Sequence, residues 1–334
     1  MSPDNQSSNS SNTSSQLQRR SFAGALAAAT AVPSILAGSG LARELSNENE
    51  AIPYPNLAPS FRYCLNTSTI HGEVIPIEKQ IEFAHSAGYD GIEIWIRDVD
   101  KYVQAGGKLS DLRKRIQDAG LQVESAIAFA NWIVDDDAKR TQGLEQAKRE
   151  MQIVVDLGGK RIAAPPAGAT NGERLNLDQA AERYRALLEV GAQVGCVAQL
   201  EVWGFSKNLS RLSEVLYVAA QSQHADACIL PDIYHLYKGG SQFEDLKFLA
   251  GNKVHVLHMN DYPNLPRDTI NDADRVYPGD GVAPVSQALK TLINSGFQGV
   301  LSLELFNRAY WSQDPLTVAK TGLAKMKQSV AKLD

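Results

Sequence analysis

An α/β architecture, a (β/α)8 TIM barrel, is predicted by three observations. Eight short apolar runs recur after residue 60: "FRYCLN", "GIEIW", "QVESAIA", "RIAAP", "VAQLEVW", "ACILPDI", "VHVLHMN" and "VLSLELF". Each is followed by a segment of helical period, at residues 78–87, 110–119, 138–157, 178–194, 210–221, 243–250, 284–295 and 315–333. Crossovers of that length require parallel strands, and eight such units in roughly 270 residues match a barrel in size and order. A doubly wound open sheet fits less well: it normally carries a Gly-rich phosphate loop after its first strand, where this chain has "TSTIHGEVIP".

Taken in order, residues 1–42 read as a leader. The polar "MSPDNQSSNSSNTSSQ" is followed by Arg19 and Arg20, then Phe22 and an Ala-rich stretch too short and too weakly apolar for a stable membrane span. Small residues at 40–42 offer a cleavage site, so the expectation is a twin-arginine-type signal and an exported, periplasmic protein. Residues 43–59 form a linker and 60–334 the barrel. Within the barrel, Gly88, Gly120, Gly158, Gly195 and Gly296 mark helix ends, and Ser or Asp stands at several helix starts.

The 334 residues carry a net charge of −5 and 43 % hydrophobic content, enough for a large core. No basic run is present, so nucleic acid is not an expected partner. Cys64, Cys196 and Cys228 are an odd number, each within a strand-like run, and are expected to be free thiols. Barrels of this kind commonly pair, which makes a homodimer the expected assembly.

Chemistry in such a barrel sits where strands end. Strand five ends in Glu201, strand six in Asp232, strand seven in His258 and strand eight in Glu304. The two-residue period of a strand puts Val197, Gln199 and Glu201 on one face, and likewise Cys228, Leu230 and Asp232. The same holds for Val254, Val256 and His258, and for Val300, Ser302 and Glu304. Any one acid at a strand end can be merely a helix cap, and a lone His is more often a packing residue. Four in inward phase on four consecutive strands predict a cluster whose mutual repulsion a divalent cation relieves. Three oxygens and one nitrogen suit Mn2+ first, then Mg2+ or Co2+, with Zn2+ as a further alternative.

"GIEIW", "LPDIYHL", "HMND" followed by "YPGDG", and "LSLEL" carry a resemblance that runs from Phe61 to the C-terminus. The chain resembles the sugar phosphate isomerase/epimerase superfamily, the xylose-isomerase-like barrels. The resemblance implies that Glu201, Asp232, His258 and Glu304 are metal ligands, and that His235 contacts substrate. It also implies a substrate-binding arginine after "HMND", for which Arg267 is the candidate. Where the epimerases place a second substrate-contacting Glu, six residues past the strand-five ligand, this chain has Lys207.

A cation chelated by a hydroxyl and a neighbouring carbonyl acidifies the intervening C–H and stabilises the enediolate. Glu201 and Glu304 then serve as the acid/base pair of an isomerase or epimerase acting on a sugar or keto-sugar. β-Elimination at the same site, on a 3-keto-glycoside or related polyol, is the alternative, since the superfamily also contains dehydratases. A carbohydrate-binding barrel without turnover is a third reading. Glu93, in inward phase at the end of strand two, is a candidate for binding a hydroxyl. Trp203, with Trp95 and Trp132, is placed to stack on a sugar ring. The long segment after strand seven is expected to shape specificity.

Overall fold

Parallel pairing of the last strand with the first curls the sheet back on itself. The computed structural model describes residues 61–71 and 75–333; the leader and linker assigned to residues 1–59 lie outside them. The strands are β1 (Arg62–Asn66), β2 (Gly91–Trp95), β3 (Gln122–Ile127), β4 (Arg161–Ala164), β5 (Val197–Glu201), β6 (Ile229–Leu230), β7 (Val256–Met259) and β8 (Val300–Leu303). One ladder runs β3-β2-β1-β8-β7 and another β4-β5-β6, and every pair is parallel. Single bridges at Ile229–Val254 and Asp232–His258 join β6 to β7.

The register places like residues at like heights. Val256 lies opposite Val300, and His258 opposite Ser302. Cys64, Ile127, Ala163, Leu230, Val256 and Val300 accordingly make a small apolar plug inside the barrel. The alternate residues pack outward against the helices, Leu301 and Leu303 among them. Burying each such side chain contributes roughly 1.5–3 kcal/mol, so a strand slipped by one residue would lose both cores at once.

The helices are α1 (Ile77–Ala87), α2 (Ile96–Gln104), α3 (Leu109–Asp118), α4 (Asp137–Asp156), α5 (Leu177–Val194), α6 (Leu212–Gln221), α7 (Ile233–Gly239), α8 (Val285–Asn294), α9 (Arg308–Trp311) and α10 (Pro315–Ala331). Asn176 caps α5 through two backbone N–H groups, and Asp314 caps α10 with Pro315 in its first turn. Gly88 and Gly195 end their helices at φ of +89° and +80°, a region that costs other residues energy.

Three elements differ from the sequence reading. α2 follows β2 without a loop. Residues 243–250 contain a 3-10 turn, Phe243–Phe248, instead of an α-helix. The run read as strand six stops after two residues, because the Asp232 carboxylate accepts from the His235 N–H at 2.8 Å and starts α7. No helix among the described residues is long and apolar enough to cross a membrane. Cys64, Cys196 and Cys228 are buried and unpaired.

Candidate metal centre and substrate cavity

Four strand ends meet around one imidazole. Nδ1 of His258 lies 3.2 Å from Glu304, 3.5 Å from Asp232 and 3.6 Å from Glu201, yet makes no hydrogen bond. His258 and Asp232 are fully enclosed, and Glu201 and Glu304 nearly so. One donor atom each from Glu201, His258 and Glu304 can be chosen so that all lie within 4.8 Å of one another. Asp232 stands beside this trio but is already engaged: Asn260 Nδ2 and Arg275 Nη1 each donate to its Oδ2 at 3.0 Å.

The charges of this cluster conflict. Burial raises the Glu201 carboxyl well above its ordinary value; His258 pulls it down, but Glu304 and Asp232 push it further up. Burial disfavours the His258 imidazolium, yet Glu304 and Glu93 more than offset it and raise its pKa well above normal. Asp232 is held low against the burial penalty, first by the Arg275 guanidinium. The upward shifts of Glu201 and His258 show how much like charge the strand ends bring together.

A divalent ion fits such a cluster. Bonds of about 2.1 Å from a common centre separate neighbouring ligand atoms by about 3.0–3.4 Å, close to the spacing of the carboxylates around Nδ1. An orphaned, enclosed nitrogen facing oxygen donors is what such an ion would satisfy. Glu201, His258 and Glu304 are the residues that can hold it, with Asp232 at its flank.

Arg275 is the residue the sequence reading missed. Arg267, the candidate from the resemblance, is exposed and lies over the Tyr237 ring, away from the cavity. Arg275 is fully buried instead, donating to Glu304 at 2.8 Å and to Asp272 at 2.6 Å besides Asp232. The segment after β7 delivers it. Asp261 and Val276 exchange backbone hydrogen bonds, and the Asp261 carboxylate accepts from the N–H groups of Tyr262, Gly279, Gly281 and Ala283. A Cβ at Gly281 would come within 2.2 Å of the Tyr262 carbonyl, so only glycine fits there. Asn271 and Asp274 cap the short turn Asp272–Asp274 reciprocally just before the arginine. That "NDADR" capping pattern is the one local signal that could have pointed to residue 275.

His235 lines the cavity beside Arg275, whose Nη2 lies 3.1 Å from its Nε2. A guanidinium only donates, so Nε2 accepts and the ring is neutral with its proton on Nδ1. Burial pushes its pKa down to about 4, helped by Arg275 against the pull of Asp232. Between its ordinary value of 6.5 and about 4, the unfolded chain binds a proton that the folded chain refuses. Stability therefore rises with pH across that window, is complete above it, and is lost on acidification through it. A plot of melting temperature against pH should show this slope in the wild type and lose it in His235→Asn. Asp98, held at about 2 against burial by His71 and Lys101, acts in a separate, more acidic window.

The cavity itself is about 290 Å³ and is lined by the carboxylates of Glu201 and Glu304, by His235 and Arg275, and by an aromatic wall. Trp203 belongs to this wall with Trp95, Phe129, Phe205 and Phe306. Phe129 and Phe205 keep 40 % and 39 % of their surface exposed, an apolar face turned to the opening. Trp132 does not belong to it, being enclosed and bonded through Nε1 to the Pro165 carbonyl. Lys207 is exposed and outside the lining, whose acids are Glu201, Asp272 and Glu304. Glu93 is fully buried below His258 and also lies outside the lining.

A family model described as xylose isomerase-like TIM barrel matches residues 81–329. Inosose isomerase of Bacillus licheniformis is 26 % identical over 257 residues, covering 75 % of this chain and 91 % of that protein. 3-Dehydroshikimate dehydratase of Pseudomonas putida is 22 % identical over 255 residues, covering 75 % of this chain but only 39 % of the longer relative. Among solved structures, that of the IolI protein with a binding zinc atom superposes with a TM-score of 0.76 at 22 % identity, over 82 % of this chain and 99 % of that one.

Proposed function

Since the chain belongs to the xylose isomerase-like TIM barrel family, we propose that it is a metal-dependent isomerase or epimerase of a sugar or keto-sugar. The observation that carries this reading is the pair Glu201 and Glu304, which flank the enclosed His258 nitrogen and also line the cavity. A divalent ion held there, Mn2+ by preference, supplies electrostatic stabilisation of the negative charge that develops on the substrate carbonyl oxygen.

The chain's own groups do the rest. The Glu201 carboxylate has no hydrogen-bond partner among the described residues and is the one suited to take the proton from the carbon next to the carbonyl. Glu304 is held by Asn66 at 3.1 Å and by Arg275, and delivers a proton from its own side. Return to the same carbon inverts it; return to the neighbouring carbon moves the carbonyl. Arg275 holds Asp232 in its ionised form and, through its hydrogen bonds, turns both Asp232 and Glu304 inward. The aromatic wall stacks on the C–H face of a sugar ring and excludes water.

The runner-up is a lyase acting on a 3-keto-glycoside or related polyol, in which the carbanion expels a β-oxygen. Two observations favour it: a dehydratase is among the relatives, and the acid expected at position 207 is replaced by lysine. Inososes and 3-dehydroshikimate are both hydroxylated ring ketones, so ring ketones belong at the head of any substrate panel. Export by the Arg19–Arg20 leader is part of the proposal; an Arg19→Lys, Arg20→Lys double variant should retain the protein inside the cell.

The test combines elemental analysis of wild type and His258→Ala with proton–deuterium exchange of ketoses, inososes and 3-keto-glucosides in D2O. Bound metal lost on substitution, with exchange into one substrate, is expected. Conserved product mass identifies the isomerase or epimerase, and an unsaturated or shortened product the lyase. Absence of both metal and exchange, after loading with Mn2+, sinks the enzyme reading in favour of a sugar-binding barrel.

A further inference from the structure

Glu93 sits where a substrate cannot reach it. Its carboxylate accepts from three side chains: Ser302 Oγ at 2.6 Å, Asn66 Nδ2 at 3.0 Å and His258 Nε2 at 3.1 Å. Four adjacent strands supply the set, in the order β2, β1, β8 and β7: Glu93, Asn66, Ser302 and His258. Their register brings them to one layer, with Asn66 opposite Glu93 and His258 opposite Ser302.

We propose that Glu93, clamped by Asn66, is the positioning residue of the metal-binding histidine. It fixes the His258 ring with Nε2–H toward the barrel interior and Nδ1 toward Glu201, Asp232 and Glu304. The proposal rests on the reading of that cluster as a cation site.

A neutral imidazole has one N–H, and an ionised carboxylate can only accept. Whichever nitrogen faces Glu93 must carry the proton, and the other keeps the lone pair that a metal needs. A carboxylate behind a ligating imidazole also makes the ring a stronger donor to the metal. Three donors converge on the Glu93 carboxylate, so within this set it takes the accepting role.

Asn66 is oriented without ambiguity. Its Oδ1 accepts from the Ser68 N–H at 3.0 Å and from Trp95 Nε1–H at 2.9 Å. Both Nδ2 hydrogens are therefore left for carboxylates, one for Glu93 and one for Glu304. A single amide thus sets the separation of two acids and ties them to Trp95 in the cavity wall. The inward phase of Cys64 and Asn66 on β1 was the available signal for it.

The test is Zn2+ affinity by chelator competition for wild type, Glu93→Ala, Glu93→Gln and His258→Ala, with 15N NMR of histidine-labelled, Zn2+-loaded wild type. Glu93→Ala is expected to weaken binding about 10- to 100-fold. Glu93→Gln keeps one acceptor oxygen and should recover most of the loss, which a general packing defect would not do. The NMR spectrum should show His258 protonated at Nε2 and metal-bound at Nδ1. A proton on Nδ1 overturns the proposal even if the Glu93 variants fail to fold. Affinity of Glu93→Ala within about threefold of wild type, well inside the loss expected for such a partner, overturns it while leaving the site intact, provided His258→Ala binds far more weakly. Wild type that binds neither Zn2+ nor Mn2+ removes site and proposal together.

Discussion

Replacing Glu201 by Gln is expected to lower kcat at saturating metal by about 10²- to 10⁴-fold, the usual contribution of a positioned general base, while the melting temperature of the metal-free protein stays near wild type. The amide keeps the shape and one oxygen donor but cannot take a proton. Glu201 is the acid of the cluster that no side chain pins, so its exchange disturbs few neighbours. Glu304→Gln should behave differently, because Asn66 and Arg275 both depend on that carboxylate. It loses activity and stability together. Measuring kcat, metal stoichiometry and melting temperature on both variants separates the roles. Near-normal turnover by Glu201→Gln would falsify the assignment.

Arg275→Met should destabilise the fold by about 3–5 kcal/mol, as expected when one member of a buried ion pair is removed and its partners remain. Asp232 and Glu304 would be left facing each other without their shared guanidinium, and Asp272 would lose its partner. The guanidinium also lies over the Tyr234 and Phe306 rings, at 4.4 and 5.0 Å. Arg275→Lys keeps the charge but cannot span three carboxylates and His235, so an intermediate loss is expected. Denaturant midpoints of metal-free protein give the answer. A midpoint for Arg275→Met equal to wild type would show that the ion pairs contribute nothing net.

How much of this was legible in the sequence depended on range. Glu201, Asp232, His258 and Glu304 could be found because strand phase and strand ends are local patterns, and the barrel then brings them together regardless of what lies between. Glu93 was found by the same rule, but its task was not, since its partner is 165 residues away. α2 and α7 were hidden because each begins where a strand stops, leaving no polar loop to separate two apolar patterns. At Asp232 the helix cap and the candidate metal flank are the same carboxylate, so a capping signal and a site signal fall on one residue. Phe129, Phe205 and Phe306 lie beyond the strand ends, where the two-residue period no longer says which way a side chain points.

The Asp261 anchor has a consequence for how this barrel can vary. Pairing of Asp261 with Val276, reinforced by four N–H groups on one carboxylate, closes the base of the loop. Arg275 emerges at that base, while residues 264–269 at the far end are exposed. Lengthening a loop whose ends are already fastened costs little, about 0.6 kcal/mol per doubling. The tip is thus uncoupled from the arginine and free to grow, shrink or be exchanged, as a handle is from the hinge that holds it. An arginine sought at a fixed distance from "HMND" is missed for that reason, because the knot holds its position and the count of residues does not.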